Sequence, residues 1–102
     1  MPRALSGVSV QLNAKHTDRI MDEGTHWHIW TVTVWWPSDP WRDGRVVRET
    51  LKTILSPYQD QLLPDSLWSQ EDIAKMVAGV MGNIVRVEVR RPLEGFYCVV
   101  DL

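Results

Sequence analysis

All three histidines of the chain fall between residues 16 and 28, and their spacing suits metal binding. His26 and His28 are two residues apart in the segment THWHIW. In a β-strand this spacing directs both side chains to one face, roughly 6–7 Å apart along the backbone. His16 ends an earlier alternating segment, in phase with its apolar face. Three imidazoles converging from neighbouring strands match a catalytic zinc site with an open fourth position.

A His-x-His pair alone is a weak indication of a metal. Many such pairs are surface residues or ordinary hydrogen-bonding groups, and that interpretation stays open for His26 and His28. The third histidine, in phase with the same face, favours the metal.

The hydrophobic pattern predicts the elements that must position these side chains. Alternating β-branched and aromatic residues indicate strands, and apolar residues at helical spacing indicate two amphipathic helices. Ser69 is a predicted helix N-cap, the GN pair at 82–83 a predicted C-cap, and PLEG at 92–95 a predicted hairpin turn. The order is ββααββ, an α+β fold with a four-stranded antiparallel sheet and both helices on one face. The predicted strands cover 5–16, 26–36, 84–90 and 96–100, the helices cover 47–55 and 69–81, and 17–25 is a predicted turn or short loop.

Composition bounds the class of protein. A chain of 102 residues suits a single domain spanning 1–102. The formal net charge of -2 gives no indication of nucleic-acid or anionic-membrane binding. There is no long apolar run and no signal-peptide core, and the only cysteine, Cys98, is expected to be a buried, inert thiol. A cytoplasmic location is therefore expected.

The six tryptophans have two possible roles. They are expected either in the core and a subunit interface or as an aromatic wall beside a flat ligand.

Taken together, these motifs resemble the 6-pyruvoyltetrahydropterin synthase / 6-carboxytetrahydropterin synthase family. That family has a histidine in its first strand followed by an HGH-type pair, here His16, His26 and His28. The segment GRVVRETLK at 44–52 is similar to its G-x-V-x-D-F-x-x-L-K motif, and WSQEDIA at 68–74 is similar to its P-T-x-E-N-x-A motif. The resemblance covers most of the chain.

The resemblance implies a tunnelling fold (T-fold), whose subunits form a β-barrel as a trimer, often stacked into a hexamer. It also implies a pterin site between subunits and a Zn²⁺ ion held by the three histidines. Zinc would act as a Lewis acid on the side-chain hydroxyls of dihydroneopterin triphosphate. Glu71, at the start of the second predicted helix, is a candidate substrate-binding residue.

The resemblance also suggests the catalytic base. Members that make the pyruvoyl or carboxy product carry a cysteine four residues before the histidine pair, and here that position is Asp22. Another branch has an E-x-x-H-G-H pattern and shortens the side chain to 6-hydroxymethyl-dihydropterin. Glu23, in EGTHWH, fits that spacing and is the candidate catalytic base. The alternative is that Glu23 is an exposed acid on a turn.

Three departures from the family pattern favour a divergent activity. The segment SPYQDQLLPD lacks the histidine of the family's Asp-His pair, which Asp60 or Asp65 would have to replace. The glutamate that anchors the pterin ring aligns with Val89, Arg90 or Arg91, and arginine can only donate hydrogen bonds. Trp27 replaces the glycine of HGH.

Three hypotheses for the function follow from the sequence. The first is a zinc-dependent pterin-type lyase or synthase, and the second is a divergent T-fold protein that binds zinc or a small ligand without turnover. The third is a structural assembly domain whose histidines have no chemical role.

Overall fold

In a computed structural model, which describes residues 3–18 and 24–102, the chain forms an open four-stranded antiparallel sheet and two α-helices. The strands lie in the order β1-β2-β3-β4, each hydrogen-bonded to the next. This confirms the α+β class and the ββααββ order. No helix within the described ranges is long and apolar enough to cross a membrane. The strands are β1 (Leu5–Asp18), β2 (Gly24–Pro37), β3 (Arg86–Arg91) and β4 (Phe96–Asp101), and the helices are α1 (Gly44–Leu55) and α2 (Gln70–Val80).

Strands β1 and β2 form a hairpin that is longer than predicted. The sequence predicts a turn or short loop over 17–25, but residues 17–18 and 24–25 belong to the strands, where Thr17 pairs with Thr25. The polar composition of this segment misleads because a strand that extends beyond its helical cover exposes both faces to water. His16, His26 and His28 lie on the paired strands, as predicted.

Each helix begins at a side-chain cap. Asp43 accepts a hydrogen bond from Arg45 N at 3.0 Å, and Ser69 Oγ accepts one from Asp72 N at 3.1 Å, as predicted for Ser69. The predicted C-cap at 82–83 is wrong in detail. Helix α2 ends at Val80, and its cap residue Met81 is already extended, with φ −105° and ψ 120°.

The core lies between the helices and one face of the sheet. The alternating apolar residues of β1, β2 and β3 point to this face, where they meet the apolar stripes of α1 and α2. Full burial of such a side chain stabilises the fold by about 1.5–3 kcal/mol. The side chains exposed by less than 2% are Trp30, Leu12, Leu51, Leu55, Ile73, Val32, Val34, Val47, Val77, Val87 and Val89.

The segment between the helices covers part of the outer edge of β1. The side chain of Gln59 donates to Gln11 O at 2.7 Å and accepts from Asn13 N at 3.0 Å. Further along, Lys15 N donates to Gln61 O at 2.9 Å and Leu63 N donates to Lys15 O at 2.8 Å. An edge strand needs such cover because its free N–H and C=O groups can pair with another chain. Part of this cover is provided within the chain itself.

Glycine at position 7 is required by a close contact, which gives a testable prediction. A Cβ atom there would lie 2.6 Å from Cε3 of Trp35, the residue paired with Gly7 across the hairpin. We expect Gly7→Ala to destabilise the protein by about 1–3 kcal/mol through overpacking. Gly79→Ala is the matched control, because nothing lies within 4 Å of its added Cβ atom on helix α2. That change should stabilise by about 0.5–1 kcal/mol.

Urea unfolding of the two variants would measure both effects. The free energy of unfolding is expected to fall in Gly7→Ala and to rise in Gly79→Ala. A Gly7→Ala protein as stable as the wild type would show that Trp35 moves away without cost.

Candidate metal centre

The three histidines meet at the end of the β1–β2 hairpin, on the face that carries the core. His16 lies directly opposite His26 in the register, and His28 lies opposite Ala14, diagonal to His16. The three ring centroids are 4.5–4.6 Å apart. One ligand nitrogen from each ring lies within 4.8 Å of those of the other two. The convergence predicted from spacing and phase is therefore present, and the three side chains are close enough to hold a metal ion.

Backbone carbonyls orient two of the rings. His16 is buried, and its Nδ1 lies 2.8 Å from the carbonyl oxygen of Trp68, just before helix α2 begins. His26 Nδ1 lies 3.2 Å from Gly24 O. A carbonyl oxygen only accepts hydrogen bonds, so both rings carry a hydrogen on Nδ1. Their Nε2 atoms are then left with lone pairs.

These two lone pairs face each other at short range. His16 Nε2 and His26 Nε2 are 3.0 Å apart. Two neutral imidazoles that both carry hydrogen on Nδ1 would repel each other in this arrangement. A shared proton or a metal cation between the two nitrogens removes the repulsion. The carbonyl partners therefore favour a positive charge at the centre of the cluster.

His28 contributes a third nitrogen without a partner. Its Nε2 atom is buried and has no hydrogen bond within the described part of the chain. Burial, followed by the nearby Arg91 guanidinium and the two other imidazoles, lowers the pKa of His28 to about 4. The ring is therefore neutral at physiological pH, which leaves its lone pair available to a metal.

The donor set fits zinc. Two nitrogens that are each about 2.0–2.1 Å from a tetrahedral zinc ion are roughly 3.3 Å apart. In this cluster the His16 and His26 Nε2 atoms are 3.0 Å apart, and all three ligand nitrogens lie within 4.8 Å of one another. Imidazole suits Zn²⁺ and several other transition metals, so the ligands alone do not fix the metal. The buried ring of Trp30 packs against the cluster, with its centroid 5.5 Å from that of His16 and 5.4 Å from that of His28. The inner side of the cluster is thus lined by a buried apolar ring.

The other predicted site residues lie either outside the described part of the chain or in contact with a different partner. Asp22 and the proposed base Glu23 lie outside the described residues. Glu71 is exposed in the first turn of α2, where it forms an ion pair of 2.8 Å with Lys75. Within the described ranges, no hydrogen bond or ion pair joins Glu71 to the histidines. Its proposed role in substrate binding stays a prediction.

The positions suggested for the missing family groups have other contacts. Asp60 accepts a hydrogen bond from the Asn13 side chain at 3.3 Å, beside the covered edge of β1. Asp65 begins a short 3₁₀ turn before α2. Val89 is part of the core, whereas Arg91 lies close enough to His28 to influence its pKa. Of the three residues aligned with the ring anchor, Arg91 is the one the structure brings to the site.

Two groups at the site were missed by sequence reasoning. One is the carbonyl of Trp68. The other is Glu94 in the β3–β4 turn, whose Oε1 lies 3.6 Å from His28 Nδ1. No sequence pattern identifies the backbone carbonyl that will contact a given histidine. For Glu94 the available signal was its position three residues after Arg91, a spacing that suits an ion pair across a tight turn.

The tryptophans and the cysteine have mixed environments. Trp30 and Trp36 are buried in the core, as one interpretation predicts. Trp27 is 50% exposed, and Lys15 Nζ lies 4.8 Å from its ring centroid on the opposite face from the ligands. The sequence predicts a buried Cys98, but the thiol is only partly buried, because it lies on an edge strand that helix α2 covers incompletely.

Comparison with known proteins adds no family assignment. No protein-family model matches the chain, and a search of curated proteins returns no match. The resemblance to the pterin synthase family therefore stays a prediction from the motifs of the sequence.

Proposed function

We propose that this chain is a zinc-dependent lyase or synthase with the tunnelling fold, acting on a pterin or a related heterocycle. The observation that carries the proposal is the convergence of three imidazole nitrogens. In His16 and His26, Nδ1 is hydrogen-bonded to a carbonyl oxygen, so the Nε2 lone pairs of the two rings point at each other. Three protein ligands leave a coordination position for substrate, as in catalytic rather than structural zinc sites.

The residues have distinct roles in this proposal. His16, His26 and His28 hold the metal, which supplies Lewis acidity toward a substrate hydroxyl. Glu23 takes the proton as general base, a role inferred from its spacing to the histidine pair. Glu71 contributes to the substrate pocket. Assembly into a trimer or hexamer would bring a second subunit to the site, as in the family that the motifs resemble.

Arg91 favours a substrate other than the usual dihydroneopterin triphosphate. The family anchors its ring through a carboxylate that accepts hydrogen bonds, and a guanidinium cannot accept them. A heterocycle that itself presents acceptors at that edge fits the chain better. The same observation supports a second candidate, a T-fold protein that binds zinc and a small ligand without turnover.

Metal content is the first test of the proposal. Purified protein, loaded with zinc and desalted, is expected to contain about one zinc per chain by mass spectrometry, and His28→Ala is expected to lose it. The variant should remain folded by circular dichroism. Absence of zinc from the wild type after loading would contradict the metal site and the function built on it.

Turnover then separates the two candidates. Zinc-loaded protein is incubated with dihydroneopterin triphosphate or with related dihydropterins, and products are separated by chromatography. The enzyme predicts product with the wild type and a loss of at least about 100-fold in Glu23→Gln, since general bases typically contribute 10²–10⁴-fold. Zinc content should be unchanged in that variant. Binding of a pterin without product would favour the second candidate.

A further inference from the structure

The second nitrogens of the ligand rings follow a common pattern. A histidine that binds a metal through one nitrogen almost always donates the N–H of the other to a carbonyl, a carboxylate or water. His16 and His26 already do so, to Trp68 O and Gly24 O. His28 is the remaining ring, and the group facing its Nδ1 is the carboxylate of Glu94 at 3.6 Å.

Glu94 is held in this position by its own turn. Arg91 donates from Nη2 to Glu94 Oε1 at 3.2 Å. The amides of Glu94 and Gly95 both donate to Arg91 O, at 3.1 and 2.9 Å. Gly95 has a φ of +76°, a conformation that glycine adopts without steric cost. The carboxylate is thus fixed beside His28 by an ion pair and a tight turn.

The separation of 3.6 Å is longer than a hydrogen bond, so in this structure the Glu94 carboxylate lies beside Nδ1 of the neutral His28 ring without a formed hydrogen bond. His28 is 10% exposed and Glu94 38%, so water screens their interaction only in part. A cation on Nε2 withdraws electrons from the ring and makes Nδ1–H a stronger donor. The interaction with Glu94 is therefore strongest when the ring is a ligand.

We propose that Glu94 is a positioning residue of the metal centre: its carboxylate accepts from His28 Nδ1–H and keeps the Nε2 lone pair directed at the other two histidines. The β3–β4 turn is then a third structural support of the site, beside the start of α2 and the end of the hairpin. This inference rests on the proposed metal site.

Zinc affinity is the first measurement. Competition with a chromophoric chelator compares the wild type with Glu94→Ala, which removes the acceptor. Removing such a partner typically weakens metal binding by about 10–100-fold, and we expect a loss in this range. Glu94→Gln, which keeps an oxygen acceptor but loses the charge, should fall between the two. Glu49→Ala is the control, because Glu49 is likewise an exposed carboxylate, 3.5 Å from Lys52.

The second measurement is the tautomer of His28, read from the nitrogen chemical shifts of the ring by NMR. In metal-free wild type we expect the hydrogen on Nδ1, and in Glu94→Ala a shift of the population toward Nε2–H. A merely structural role for Glu94 would leave this ratio unchanged.

The outcomes separate the two proposals. Wild-type affinity in Glu94→Ala, or an unchanged tautomer, would overturn the role of Glu94 while leaving the metal site intact. If the wild type itself binds no zinc, the metal site fails, and the role of Glu94 in it fails with it.

Discussion

Replacement of His16 by alanine is expected to abolish zinc binding and to weaken the metal-free fold, whereas His26→Ala should abolish zinc binding alone. Each change removes one of three ligands, so affinity should fall by more than the roughly 10–100-fold caused by losing a ligand's partner. His16 is also buried at 7% exposure and donates to Trp68 O. Without its ring, that carbonyl loses its described side-chain partner, at a cost of about 1–3 kcal/mol.

Thermal unfolding with and without zinc measures both effects. Zinc at about 100 times its Kd stabilises the wild type by about 2.7 kcal/mol. For a chain of this length that corresponds to a rise in Tm of roughly 10–20 °C. Neither variant should show this rise, and in the presence of a chelator only His16→Ala should melt below the wild type. A full zinc-induced rise in His26→Ala would show that the metal binds elsewhere.

Replacement of Trp30 by alanine should have the largest effect on folding. The ring is 1% exposed, lies opposite Leu12 in the hairpin, and packs edge-on against His16 and His28. Truncation of a buried aromatic residue costs about 3–5 kcal/mol. Domains of this kind have a total stability of about 5–15 kcal/mol, so a substantial part of it would be lost.

Urea unfolding with two companions tests this prediction. Trp30→Phe keeps an aromatic ring and should lose less stability than Trp30→Ala. Trp41 is 79% exposed, and its replacement by alanine should change the stability by no more than about 0.5 kcal/mol. Equal losses in Trp30→Ala and Trp41→Ala would contradict the assignment of Trp30 to the core.

Most of the fold could be predicted from the sequence because its periodicities are unambiguous. The β-branched and aromatic run after Thr25 predicts a strand, and its alternation places His26 and His28 on the same face as Trp30, which the structure shows to be buried. The phase of His16 follows from Val10, Leu12 and Ala14 in the same way. Since register in a hairpin is set by burial, the convergence of the three imidazoles follows from the same pattern.

The groups around the histidines could not be predicted in this way. Glu94 reaches His28 only because β3 pairs with β2 in one particular register, with Thr31 opposite Arg90. The Trp68 carbonyl approaches His16 because α2 docks on the sheet, with 52 residues separating the two groups in the chain. Such contacts depend on how separate elements pack together, for which a single sequence carries no periodic signal.

The Gln59 contacts with β1 have a consequence for the order of folding. They join residues 46 and 48 positions apart, so they cannot form until α1 has docked and brought the following segment back to the sheet. A local hairpin such as β1–β2 closes much earlier than pairings of this separation. Between these two events the outer edge of β1 is bare and can pair with another nascent chain. Pairing with another chain is therefore favoured before the Gln59 contacts form, and the folded protein closes that part of the edge by itself.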